Sequence, residues 1–369
     1  MTTDLLPWIL VLVLLALAAG YVLGRKAASR AAPPGQPQEQ PPQLQPMSPT
    51  VASKAAGRGL DAPAIQAPAT AERPAGAIQA SAVSLLSSVT SWGYQLQNLT
   101  VAKAAASPFD LLVVDYSKDG SDATALKPDE VALLKRKPDG SRRLVVAYLS
   151  IGEAESYRYY WKAAWTRDKP SWLLGENPDW EGNYSVCFWD PEWQSLMFGN
   201  PAAYLDRIMA QGFDGIYLDK CDVTEDLRQH FKEAFRSRSD VDGDMTAFVQ
   251  RLSSYAKAKR PGFIVMMQNA ETLLERPALR AAIDAMGKEE LLFGLDAAER
   301  ANSKGEVAWS RDLLNLMQND GKPIFCVEYL ENPAKIREAM QETKQFGYIL
   351  YVAAKDRELA RLVSPPAAA

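Results

Sequence analysis

Histidine is almost missing from this 369-residue chain: His230 stands alone. It lies in the polar helical stretch EDLRQHFKEAF, where a solvated surface position is expected. A serine–histidine–aspartate triad or a multi-histidine metal centre would have to be built around it, so both are set aside. Proton transfer must then fall to Asp and Glu. Cysteine is scarce too. Cys187, Cys221 and Cys326 are odd in number, far apart and without a CxxC pair, which argues against a disulfide framework and a structural zinc site. No glycine-rich phosphate loop follows the first strand-like run, which disfavours a nucleotide-binding sheet. A net charge of −4 gives no reason to expect a nucleic-acid partner. No cofactor is expected.

What is present begins with an uncharged run, LLPWILVLVLLALAAGYVLG, at 5–24. At about 1.5 Å per residue, twenty helical residues cover the roughly 30 Å hydrocarbon core of a bilayer. Only Asp4 precedes the run, so the basic start of a cleaved signal is missing. Residues 1–26 are therefore expected to be a single-pass membrane anchor. Residues 27–87 are rich in Pro, Ala and Gln, with ten of the 24 prolines between 31 and 80. Such a composition buries too little apolar surface to order itself and reads as a flexible linker. The folded part is expected over 88–362, a length that suits one α/β barrel, with 363–369 as a tail.

Within it, strand-like and helix-like stretches alternate. Candidate strands cover 92–97, 111–116, 144–152, 184–189, 215–219, 263–268, 282–287, 324–329 and 348–353. Several are continuous apolar runs, as in parallel strands covered on both faces. Between them lie patterns such as MTAFVQRLSSYAKAK, where Phe248, Leu252 and Tyr255 recur at helical spacing and Asp244 is placed as an N-cap. The alternation predicts a (β/α)8 TIM-like barrel, with one of the nine strands surplus, either 184–189 or the last.

Barrel active sites lie at the C-terminal ends of the strands, and here those ends are acidic. They offer Asp115; Glu153 and Glu155; Asp190; Asp219 and Asp222; Gln268, Asn269 and Glu271; Glu289 and Glu290; Glu328 and Tyr329. One such acid reads as a helix cap or an ion-paired rim residue. Seven strand ends sharing the habit imply a functional cleft, because a ring of carboxylates repels itself. Two chemistries use such a cleft without histidine: an oxygen-ligand magnesium or calcium site, and glycoside hydrolysis by two carboxyl groups. The stretch SDVDGDM (239–245) fails as a calcium loop. Counted from Asp240, Met245 stands at the turn-glycine position and Arg251 at the bidentate acid. It reads as a turn and helix cap, and no metal ligand set is expected.

Aromatic residues favour sugar. Seven of nine tryptophans fall between Trp92 and Trp193, and flat rings suit the C–H faces of pyranoses. Packing and sugar contact are balanced for Trp161, Trp165 and Trp193, while Trp180 and Trp189, beside turn residues, favour sugar contact.

The segments WxYQLQ, VVDYS, AYLSIGEAExYRxYW, FWDPEWQ, GFDGIYLDKCD, QNAE and GKEELLF occur in this order, which resembles glycoside hydrolase family 114, the endo-α-1,4-polygalactosaminidase-like barrels akin to the hydrolase domain of the Pel polysaccharide system. The resemblance spans roughly residues 90–355. It implies a (β/α)8 barrel that cleaves α-1,4-linked galactosamine polymers with two acids, which by position look like Asp219 and Glu271. Asp219 is expected to stay ionised as nucleophile or base, and Glu271 to have a raised pKa as general acid, though the roles are interchangeable. Substrate contacts are expected from Tyr94, Asp115, Glu153, Glu155, Trp180, Trp189, Asp222, Gln268, Asn269, Glu289, Glu328 and Tyr329. Lys-Cys in LDKCD departs from the uncharged pair common in the family and leaves the sugar open. A glycan-binding barrel without turnover and a metal-dependent enzyme facing the cytoplasm are the other readings. Arg25, Lys26 and Arg30 after the anchor favour the cytoplasm, while a polysaccharide substrate and a long tether favour the opposite side. The expectation is a monomer in the cell membrane with its barrel on the extracytoplasmic side.

Overall fold

In the computed structural model of the chain, which describes residues 81–365 apart from 235 and 237, the apolar runs become eleven strands. They are β1 (Trp92–Gln95), β2 (Leu111–Val114), β3 (Leu144–Ser150), β4 (Glu153–Glu155), β5 (Leu173–Glu176), β6 (Asn183–Val186), β7 (Gly215–Asp219), β8 (Ile264–Gln268), β9 (Ala285–Glu289), β10 (Ile324–Tyr329) and β11 (Ile349–Ala353). Eight form one sheet in the order β1-β2-β3-β7-β8-β9-β10-β11, and every neighbouring pair is parallel. Parallel neighbours require crossovers, which the helices Tyr204–Gln211, Val241–Lys259, Lys304–Asn319 and Pro333–Phe346 help to supply.

The two end strands come together. The Trp92 indole in β1 donates to the Ile349 carbonyl of β11 at 3.0 Å, and the Leu96 amide donates to Leu359 at 2.9 Å. The result is a nearly closed (β/α)8 barrel. Alternate strand residues fill its interior. Trp92 lies 5.6 Å from Phe325 and 5.8 Å from Tyr351 between ring centroids, and Tyr94 lies 5.4 Å from Tyr217. Glycine at 287 in β9 is a space requirement, since a Cβ there would overlap the Tyr217 hydroxyl.

The surplus strand is 184–189. It becomes β6, the middle strand of a small antiparallel sheet ordered β4-β6-β5. This sheet belongs to an excursion between β3 and β7, and its core is the tryptophan cluster. Trp161–Trp165, Trp165–Trp172 and Trp172–Trp193 pack at 5.3, 5.1 and 5.2 Å. Trp165, Trp172 and Trp193 are buried.

Three further findings adjust the expectations. Helix Val241–Lys259 is capped by Asp240, whose carboxylate accepts from the Gly243 amide at 2.8 Å, while Asp244 sits in the first turn and pairs with Arg238. Asp240 wins because its side chain reaches back over the first free amides. A helix, Ala82–Leu86, capped by Ser81, precedes residue 88. Among the described residues no helix is long and apolar enough to cross a membrane, which overturns the single-pass membrane location with an extracytoplasmic barrel. Residues 5–24, on which that expectation rested, lie outside the described residues, as do residues 27–80 of the expected linker.

Candidate active site

Asp219 is the last residue of β7, and strand alternation turns it inward above Tyr217. Both its carboxylate oxygens are held. The Tyr148 hydroxyl of β3 donates to Oδ2 at 2.7 Å, and the Lys220 amide donates to Oδ1 at 2.7 Å. The second bond depends on Lys220 adopting φ 59°, uncommon for a residue with a Cβ. Burial pushes Asp219 up to about 7, the charges of Glu289 and Asp222 add to it, and Tyr148 and Lys220 oppose it. Asp219 was expected to stay ionised; the surrounding acids and loss of water instead favour its protonated form.

Glu289, the last residue of β9, faces the same mouth. Its carboxylate accepts from Gln268 Nε2 at 2.6 Å, from Asn269 Nδ2 at 3.1 Å and from the Tyr329 hydroxyl of β10. Asn269 returns the contact by accepting from the Glu289 amide at 3.1 Å. Gln268 in turn accepts from the buried Tyr94 hydroxyl at 3.1 Å. Tyr94, Gln268, Asn269 and Tyr329 thus form one network behind Glu289. Asp219 and Glu289 both remain partly exposed, as does Asp222 beside them.

Glu271 goes elsewhere. Asn269 and Ala270 both adopt left-handed backbone, φ 52° and 56°, and this turn swings Glu271 out of the mouth into the helix layer. There it pairs with Lys288 at 2.8 Å and accepts from the Ser310 hydroxyl at 2.6 Å. Lys288 lies between inward-facing Gly287 and Glu289, so its side chain faces outward. Burial pushes the Glu271 carboxyl up, but Lys288 and Ser310 outweigh it and hold it below its ordinary range, the opposite of the expected shift.

The other expected contacts divide between rim and scaffold. Glu153 of β4 is buried, pairs with Lys220 at 3.0 Å, and accepts from Asn177 at 2.8 Å. Asp115 and Glu155 flank buried Arg158, at 2.7 and 2.6 Å. Glu328 faces away from the barrel interior and accepts from the Leu292 and Phe293 amides at 2.8 and 3.2 Å. Burial carries it up to about 8, against the two amide bonds. Trp189 is partly buried under the Arg238 guanidinium, 5.5 Å from its ring. Trp180 is exposed at 43%. Among the described residues, no group of three or more His, Cys, Asp or Glu side chains is placed to hold a metal ion.

Tyr148 and Arg158 carried no expected site role, and Lys220 was expected only as a charge in the cleft, not as the residue whose amide holds Asp219. Tyr148 had a signal: a hydroxyl-bearing residue near the end of an otherwise apolar strand, in phase with the mouth. Arg158 stands in the segment AYLSIGEAExYRxYW, but only the fold shows that it joins Asp115, just after β2, to Glu155 of the excursion.

Residues 71–365 match the family described as glycoside-hydrolase family GH114. An uncharacterised protein of Deinococcus radiodurans is 38% identical over 285 residues, covering 75% of this chain and 84% of that protein. Another from Thermotoga maritima is 33% identical over 291 residues, covering 75% and 86%. Among solved structures, the glycoside hydrolase domain of PelA from Pseudomonas aeruginosa shares the fold, with a TM-score of 0.54 at 22% identity over 75% of this chain and 98% of that one.

Proposed function

This chain belongs to glycoside-hydrolase family GH114 and is a glycosidase, and from that premise we propose that it cleaves an α-1,4-linked galactosamine-type polysaccharide with Asp219 and Glu289. The observation that carries the pair is their common position: two partly exposed carboxyl groups, inward-facing at the ends of β7 and β9, each held by a tyrosine hydroxyl. Glycoside hydrolysis needs one carboxyl group to protonate the leaving oxygen and a second to act as nucleophile or to activate water. Asp219, pushed up to about 7, holds the proton. Glu289 accepts from three side chains and is oriented for the second role.

The substrate class rests on charge. Asp219, Asp222 and Glu289 gather at the mouth, and the nearby Lys220 ammonium is engaged by Glu153 and by Asp226 at 3.3 Å. That lysine therefore presents little free positive charge to an amino sugar, and the cleft complements a polycation.

The position of QNAE supports a second reading, with Glu271 as the partner of Asp219. Reducing-end release from α-1,4-galactosamine oligomers separates the two. D219N and E289Q are each expected to lower kcat by about a hundredfold or more. E271Q is expected to keep kcat within about tenfold and to lower Tm, since it removes one side of a buried ion pair. A full loss in E271Q with an active, folded E289Q would transfer the role to Glu271.

A further inference from the structure

Among the described residues four large apolar or aromatic side chains are exposed: Leu133, Tyr157, Trp180 and Trp309. Two of them, Tyr157 and Trp180, are on the excursion that follows β3. Tyr157 is 45% exposed, yet it is fixed on every other side. Its hydroxyl donates to Glu155 Oε1 at 2.7 Å. The Arg158 guanidinium lies 5.0 Å from the ring centroid. Gly120, in the loop after β2, sits against the ring so closely that a Cβ there would come within 3.0 Å. An aromatic ring immobilised in this way loses little freedom when a ligand covers it.

From this geometry we infer that the open surface of Tyr157 is a shelf for a pyranose ring of the substrate, next along the polymer from the bond that Asp219 and Glu289 cleave. This rests on the glycosidase reading above. The placement follows from the chain itself. Tyr148, which holds Asp219, is in β3, and Tyr157 lies just beyond β4, in the segment that leaves the same strand end. Tyr148 also feels the charges of Asp219, Glu155 and Tyr157 together, so these groups share one neighbourhood. The chemistry suits an amino sugar. A pyranose presents C–H bonds to a ring face, and an ammonium substituent gains from the same face. The guanidinium on the ring does not repel such a ligand strongly, because Arg158 is already paired with Asp115 and Glu155. Trp180 is on the neighbouring hairpin, which the Ser156 amide ties down by donating to the Gly182 carbonyl at 2.7 Å.

The test uses the full chain carrying D219N, so that bound oligomers stay intact, with α-1,4-galactosamine oligomers of two to six sugars as the probe in calorimetry. Y157A is expected to weaken binding of the longer oligomers by about tenfold and to affect the disaccharide less. Y157F and Y157W, which keep a ring, are expected to recover most of that loss. Equal binding by Y157A and its parent would overturn the shelf. So would a loss in Y157F as large as that in Y157A, because the role would then lie in the hydroxyl bond to Glu155. If D219N retains wild-type turnover, the catalytic assignment fails, and the shelf is then decided by KM: Y157A must raise KM for the longer oligomers about tenfold with Y157F close to its parent, and an unchanged KM overturns it. If D219N binds no oligomer, shelf and substrate class fall together.

Discussion

Asp219 takes its character from what surrounds it. A carboxyl at the end of a strand beside a lysine looks ionised in sequence, yet the structure places a second acid across the mouth and removes water, and both effects favour the proton. The Tyr148 hydroxyl works in the other direction, since a bond donated to Oδ2 stabilises the ionised form. Tyr148 is therefore a positioning residue with a measurable signature. In Y148F the Asp219 pKa rises further, so the alkaline limb of kcat/KM moves to higher pH, by about one to two units for a bond of 1.5–3 kcal/mol to a charged group. A pH profile of Y148F against wild type checks this. A lower rate with an unmoved alkaline limb would make Tyr148 a packing residue. The same scale explains why Glu271, expected at the mouth, pairs with Lys288 in the helix layer while Glu289 faces the mouth. QNAE and GKEE each offer an acid after a strand, and a two-residue left-handed turn decides which one reaches the mouth. Alanine at 270 gives no sign of that turn, because left-handed backbone is usually signalled by glycine or asparagine. Asn269 was the only hint.

Elements were more legible than residues. Strands β7 and β10 match the expected 215–219 and 324–329, because a continuous apolar run bounded by turn residues leaves few alternatives. The short strands β4 and β5 were not expected, since Glu153–Glu155 is too brief for its alternation to count and LLGE carries none. Their purpose is visible only in contacts. The excursion returns to the barrel where β3 meets β7, and Gly152 lies against Lys220 so closely that a Cβ would overlap the Lys220 carbonyl oxygen. Glu153 next to it pairs with the Lys220 ammonium. The excursion thus clamps the residue whose amide holds Asp219 Oδ1. G152A tests the clamp. The added methyl must displace Lys220 or Val223, at a cost of about 1–3 kcal/mol, and kcat is expected to fall with it because the Asp219 amide bond is lost. Thermal melting and turnover measured on the same preparation check both. A G152A variant as active as wild type would show that the backbone at Lys220 tolerates movement.

At the scale of the whole molecule, a barrel lined with acids carries a characteristic dependence of stability on pH. Asp219 at about 7 and Glu328 at about 8 keep protons in the folded chain that the unfolded chain has released. Burial raises Asp115 and Asp222 as well, against the opposing charges of Arg158 and Lys220. Where the native state binds more protons than the unfolded one, stability falls as pH rises. The stability these groups confer is complete below about pH 4, near their unfolded values, and is lost as pH passes their folded values. Asp110, lowered to about 2, and Glu271, lowered by Lys288 and Ser310 against its burial, act in the opposite sense. Their contribution is present above the ordinary carboxylate range and is lost on acidification. Together these shifts place maximal stability near pH 5 and a decline from there to about pH 8, at no more than about 1.4 kcal/mol per pH unit for each group. Calorimetric Tm values between pH 4 and 9 check the profile. D219N and E328Q are each expected to flatten the decline, and D219N to raise Tm at pH 8 while losing turnover. A buried carboxyl held away from its preferred charge state should lower stability in this way, whereas a surface acid replaced by its amide would leave the slope unchanged. A D219N chain that melts as wild type does across this range would mean that Asp219 titrates near its ordinary value, and the proton-donor role would then pass to another carboxyl group at the mouth.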